Sequence, residues 1–394
     1  MSYCIQENEV HYNPFSYANE YLTFVALENS TFQLATNAVN YSLDNGKTWT
    51  ELAANTSSPT VTTGNKIMWK GELTPNSSYG IGIFSSSGRF NVEGNAMSLL
   101  YGDNFKGQTD LVGKNKAFYR LFDGNTNVIN AKNLSLPATT LASSCYRNMF
   151  NGCTALTTAP ALPATTLADY CYFNMFSVCT SLETTPELQA TTLNQYCYYG
   201  MFSGCTNLTT APILPATTLA NYCYGWMFNG CTSLTTAPEL PATALTENCY
   251  YMMFSRCTSL TTAPELPATT LTSNCYAAMF SNCTSLTEAP ELPATTLASN
   301  CYNYIFNGCT SLTRAPELPA TTLASNCYSE MFRGCTSLNY IKAMFTTTPG
   351  TKYTNSWVNG VSATGTFVKN SAAQWNVSGV NGIPTGWTVE TASE

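Results

Sequence analysis

Charge is scarce in this chain of 394 residues: Asp, Glu, Lys and Arg make up 10% of it, against about a quarter in ordinary soluble domains. The balance is acidic, 23 against 16, for a formal charge of −7. That leaves no basic stripe to neutralise phosphates, which excludes nucleic acid as a partner, and it disfavours docking on anionic membrane surfaces. No apolar run approaches the roughly 20 residues that span a bilayer, so membrane insertion is excluded as well. Histidine is nearly missing, with His11 the single imidazole. No P-loop, Gly-x-Ser-x-Gly or dinucleotide fingerprint is present. An enzyme is not expected, and no cofactor is implied. The opening residues, MSYCIQENEVHYNPF, have neither a basic nor an apolar region of the secretory kind. Either a signal has been removed from the sequence or the protein leaves its cell by another route, such as inside an assembled virion; the initiating Met favours the second expectation.

What the chain has in abundance is repetition. From Cys145 to Leu338 a 26-residue unit recurs eight times, one copy reading CYNYIFNGCTSLTRAPELPATTLASN from Cys301 to Asn326. A fixed period of this size marks a solenoid, in which each unit buries its apolar face only against its neighbours. Sixteen of the 17 cysteines fall at two phases of the repeat. Cysteine is among the most buried residue types, so these read as ladders of reduced core thiols. Their spacing does not suit zinc, which prefers closer pairs and histidine.

Ahead of the repeats, short segments rich in β-branched and aromatic residues alternate with Gly-containing turns. Tyr21–Leu27, Thr31–Ala35, Val39–Leu43, Lys47–Leu52, Lys66–Leu73 and Gly80–Phe84 read as strands of a small β-sandwich. Asn45-Gly46 predicts a type I′ hairpin. Ser42-x-Asp44-x-Gly46-x-x-Trp49 resembles the Asp-box of sialidases, a structural device, and a single copy makes no propeller. Ala117–Leu141 is a degenerate repeat that would cap the array, and Thr366–Glu390 would cap its other end.

Within one repeat, Cys301, Tyr302, Ile305, Phe306 and Cys309 follow at i, i+1, i+4, i+5 and i+8, which predicts a short helix with its N-cap at Ser299 or Asn300. Gly308 would end it at positive φ. The following Leu/Pro segment predicts a short strand, and eight of them a parallel sheet.

These repeats, with their Phe-x-Gly-Cys-Thr-Ser-Leu core, resemble the BspA-type leucine-rich repeats of gut and oral bacterial surface proteins and of phages of gut Bacteroidales. The match covers about residues 117–345, with departures at Val178, Arg256 and Asn282. The resemblance implies an adhesin or binding scaffold. The expected fold is mainly β with short helices: an N-terminal β-sandwich, then a leucine-rich-repeat solenoid of eight 26-residue repeats with capping segments. The expected divisions are an arm at 1–20, an Ig-like β-sandwich at 21–100, a linker and cap repeat at 101–142, the solenoid at 143–340 and a C-terminal cap at 341–394.

The copies differ mainly at the two positions after Cys-Tyr, beginning with Arg147 and Asn148, and just before the first cysteine. Tyr170, Phe173, Tyr196, Tyr199, Tyr222, Trp226, Tyr251 and Tyr304 occupy these positions. On the expected helix they face solvent, and their composition suits a binding surface. A row of carboxylates at one phase includes Glu239, Glu265, Glu291 and Glu317. It is expected to splay into water, with calcium a weaker expectation. The function expected is adhesion or receptor recognition without chemistry, by a phage tail protein contacting a bacterial surface glycan or protein receptor. Its N-terminal region would meet other virion proteins. A bacterial surface adhesin and a purely structural spacer are the alternatives.

Overall fold

The structure, a computed structural model, describes residues 17–392; His11 and most of the expected N-terminal arm lie outside them. The chain is mainly β. The first strands are β1 (Leu22–Ala26), β2 (Phe32–Leu34), β3 (Val39–Ser42), β4 (Thr50–Leu52), β5 (Lys66–Lys70), β6 (Phe84–Ser86) and β7 (Phe90–Asn95). A four-residue helix α1 (Ser98–Tyr101) and a 3-10 turn Gly102–Asn104 follow, then β8 (Val128–Ser135). Six strands form one sheet in the order β4-β3-β5-β1-β7-β8, and β2 pairs with β6 beside it. Phe24 on β1 packs against Phe32, Trp69, Phe84 and Phe90, ring centroids 4.9–5.5 Å apart. The layer between the two sheets is therefore aromatic.

Two local expectations are corrected. Gly80–Phe84 is not a strand, since β6 begins at Phe84, and β7 went unread. Asn45 and Gly46 both have positive φ, but β3 and β4 pair only up to Tyr41↔Thr50, leaving a longer loop than a two-residue hairpin. Side chains hold that loop. The Gly46 amide donates to the Ser42 hydroxyl at 2.8 Å, and the Thr48 amide to Asp44 Oδ1 at 2.9 Å.

The sheet runs into the repeats without a break. β8 comes from the segment read as linker and cap, and pairs parallel with β7. Phe122 of the cap repeat touches Phe24 on one side and stacks on Phe150 of the first full copy at 5.1 Å.

The helices expected in the repeats are absent. In their place the backbone makes consecutive β-turns, with positive φ at every fourth residue: Ser144, Asn148 and Gly152 in the first copy, Asn300, Tyr304 and Gly308 in the seventh. Alternate amides do different work. Those of Cys145, Arg147 and Met149 close turns on the third residue back, while those of Tyr146, Asn148 and Phe150 donate to Cys171, Phe173 and Met175 of the next copy. A left-handed third turn residue is the signature of type II turns. A helix satisfies its amides internally, whereas this arrangement commits half of them to the neighbouring copy.

The inward side chains form continuous ladders. Eight tyrosines from Tyr146 to Tyr328 and eight phenylalanines from Phe150 to Phe332 stack on their counterparts, successive centroids 5.6–6.2 Å apart. Sixteen cysteines are free and buried beside them. The second of each pair donates from Sγ to a phenylalanine carbonyl of the preceding copy, as Cys231 does to Phe202 at 3.1 Å.

The Leu/Pro segments do not form the expected sheet. They meet only at isolated parallel bridges such as Thr158↔Thr184 and Thr270↔Thr296, because each proline removes a ladder donor. The bonding pattern also outlasts the legible repeat: Tyr328, Glu330 and Phe332 donate to Tyr353, Asn355 and Trp357. Trp357 lies beneath Tyr328 and Phe332 as an aromatic plug. Strands β9 (Tyr340–Ala343), β10 (Thr366–Lys369) and β11 (Thr388–Thr391) close the end as a parallel sheet.

Candidate functional site

The turn runs place the variable residues in rows, one member per copy. Before the first cysteine the row is Lys116, Ser144, Tyr170, Tyr196, Tyr222 and then Asn248, Asn274, Asn300 and Asn326, all at positive φ. Tyr170, Tyr196 and Tyr222 stack face to face at 4.7 and 4.6 Å, ring planes 7° apart. The next row runs Tyr119, Arg147, Phe173, Tyr199, Gly225, Tyr251. Phe173 stacks on Tyr199 at 5.0 Å, and both tilt against the tyrosine row. Five of the eight expected binding residues thus form one patch.

These rings are half-buried against one another rather than standing free in solvent. Burial, then neighbouring Tyr222 and Tyr170, raises the Tyr196 hydroxyl above its ordinary value; burial, then Tyr251, pushes Tyr199 up to about 12. Both faces of Tyr196 are covered by its neighbours, so the row presents ring edges and hydroxyls to a ligand. That argues against sugar rings stacking on the middle of the row. Gly225 is what lets Tyr199 lie flat, since a Cβ there would meet the ring at 2.8 Å.

Trp226 and Tyr304 belong to a third row, again at positive φ. The Trp226 indole nitrogen is buried without a hydrogen bond, and the Tyr304 hydroxyl donates to Glu330, itself paired with Arg333 at 2.6 Å. Sequence reasoning placed these residues on a helix face; the turn run divides them between rows instead.

The carboxylate row is exposed, and Glu317 pairs with Lys342 at 3.0 Å. Among the described residues no three His, Cys, Asp or Glu side chains converge as a metal site requires. Glu239, Glu265, Glu291 and Glu317, the weaker candidates for calcium, do not converge in this way, because this phase of the repeat supplies at most one carboxylate per copy. A groove of about 460 Å³ opens over the first Leu/Pro segments, lined among others by Leu136, Pro137, Pro160 and Ala161. No helix among the described residues is long and apolar enough to cross a membrane.

Comparison with protein families, with curated proteins and with solved structures finds no match for this chain.

Proposed function

We propose that this is a non-enzymatic recognition protein whose repeats form a solenoid of the BspA-like leucine-rich kind, and whose contact surface is the patch of Tyr170, Phe173, Tyr196, Tyr199 and Tyr222. The supporting observation is backbone conformation. A bulky residue at positive φ is disfavoured, at about 1–2 kcal/mol in the left-handed region. Copies five to eight place asparagine at the same position, at little cost, while copies two to four keep tyrosine. Other rows also hold bulky residues in this conformation, such as Val178 and Trp226. What sets this position apart is that three successive copies keep tyrosine and stack it, and strain retained together with such a stack supports use of that surface.

The thiol ladders bear on where the protein folds. Sixteen buried free cysteines suit folding in a reducing compartment, since an oxidising one invites disulfides. This favours assembly in the bacterial cytosol as part of a phage tail over export as a bacterial surface adhesin. Mass spectrometry of purified phage particles tests that context.

The recognition reading is tested by binding of the purified chain to gut Bacteroidales cells, beside a variant with Tyr170→Asn, Tyr196→Asn and Tyr222→Asn. Asparagine is the chain's own solution at these positions, so the stack keeps its backbone. Recognition through this patch predicts binding weakened by about tenfold or more, as loss of clustered aromatic hot spots does. Unchanged binding would leave the structural spacer as the better reading.

A further inference from the structure

The aromatic patch begins with a cation. Arg147 occupies the row of Phe173 and Tyr199, one copy earlier, and its guanidinium lies 4.5 Å from the Phe173 ring, 5.4 Å from Tyr170 and 6.0 Å from Tyr119. The other cations around it are engaged: Arg120 pairs with Asp123 at 2.5 Å, and Lys116 donates to the Ser77 carbonyl. None of the ion pairs among the described residues involves Arg147, and its Nε is buried without a hydrogen-bond partner. The neighbouring Asn148 Oδ1 is likewise buried and unbonded.

Ring faces stabilise a guanidinium but accept none of its five N–H donors. A fork of donors held rigid by aromatic walls matches a planar carboxylate, which it binds in bidentate fashion. The groups leading away from Arg147 are mostly neutral and rich in hydrogen-bonding capacity: the tyrosine hydroxyls, Asn174, Gln195 and Asn221, with one carboxylate among them, Asp169, which accepts a hydrogen bond from the Gln195 amide at 3.1 Å. They suit a hydroxyl-rich polymer better than a peptide, which would require apolar pockets for its side chains.

We propose that Arg147 is an anion-binding subsite at the head of the aromatic patch, taking a carboxylate carried by an acidic polysaccharide. This rests on the recognition reading and names the ligand class. Asp169 and the formal charge of −7 oppose such a ligand; physiological salt screens the part of that repulsion that acts beyond about 8 Å.

The test is calorimetric titration of the full chain with oligogalacturonate at low ionic strength, with neutral dextran, dextran sulfate and polyglutamate as comparators. The variants are Arg147→Phe and Arg147→Lys. Phenylalanine is the residue of the next copy, so Arg147→Phe keeps the ring stack and removes only the charge. The expected result is oligogalacturonate binding that weakens about tenfold or more in Arg147→Phe, the scale of a lost charged hydrogen-bond pair. Arg147→Lys should fall between the two, and added salt should weaken the wild type more than Arg147→Phe.

Several outcomes would overturn the proposal. These are no binding of oligogalacturonate, equal binding by Arg147→Phe, tighter binding of dextran sulfate, or equal binding of polyglutamate, which would point to an acidic protein partner. The cell assay separates this idea from the broader one. If Arg147→Phe binds cells as the wild type does while the triple asparagine variant does not, recognition stands and the anion subsite falls.

Discussion

The amide of Tyr146 donates to the carbonyl of Cys171 in the next copy at 2.9 Å, while the amide of Cys145, one residue before it, closes a turn on Ala142. That alternation ties each copy to its neighbour through backbone as well as side chains. It also requires a left-handed residue at every fourth position, whatever side chain occupies it. Several expected outcomes depend on this.

Val178 is the clearest case. It sits at φ 59, is exposed, and occupies a position that is glycine in five of the eight copies. A β-branched residue has no comfortable place there. Val178→Gly should stabilise the protein by about 1 kcal/mol, the approximate cost of one left-handed residue, read as a raised urea midpoint.

The buried ladders govern the alkaline limit. Burial pushes the Cys171 thiol up to about 12 and Cys275 up to about 11, from an ordinary value of 9.0. A raised acid pKa means that the folded state holds its proton more tightly. Stability should therefore be intact below pH 9.0 and fall as the pH rises from there toward 12. Urea midpoints across this range check it. At neutral pH the sixteen ladder thiols should ignore a thiol reagent until the chain is unfolded in guanidinium.

The N-terminal sheet is tight at Gly94 on β7, where the chain before β1 passes. Its φ is 77, and a Cβ there would lie 2.0 Å from the Tyr21 carbonyl oxygen. Gly94→Ala should cost about 3 kcal/mol or more, the scale of a backbone clash added to an unfavourable φ. Chemical denaturation measures this, and a near-neutral result would mean that the β1–β7 pairing gives way easily.

Asp44 sets an acid-side dependence. Hydrogen bonds from the Thr48 amide, the Thr48 hydroxyl and the Ser42 hydroxyl hold its carboxyl down to about 2, below its ordinary 3.8. A lowered carboxyl pKa contributes stability above the ordinary value and loses it as the pH falls. The midpoints of wild type and Asp44→Asn should differ at neutral pH and converge between 3.8 and about 2. Curves that stay parallel would show that this loop is held by other contacts.

Much of this was legible in the residues. The period of 26, the inward Cys, Tyr, Phe and Leu, the cap beginning near Ala117 and the outward carboxylates all follow from composition at fixed phase. The patch residues were found by the same comparison of copies. What misled was the spacing of Cys301, Tyr302, Ile305 and Phe306. A run of turns that reverses hand at every fourth residue buries nearly the same positions as a helix, so periodicity alone does not separate the two. The extra turn run ending at Gly360 was hidden because Thr354 and Val358 stand at the tyrosine and phenylalanine phases, Trp357 takes the methionine phase, and the cysteines are gone.

By itself, then, the sequence determined the repeat, its core ladders and which positions vary, because identical units bury identical side chains. Only the tertiary structure decided that the backbone amides are shared between copies, that Tyr170, Tyr196 and Tyr222 cover one another's faces, and that Arg147 lies against Phe173 and Tyr170 with no ion-pair partner among the described residues. Each of these depends on how one copy lies against the next, a distance of 4.6–4.7 Å between rings that are far apart along the chain. A pattern read within single copies does not contain that distance.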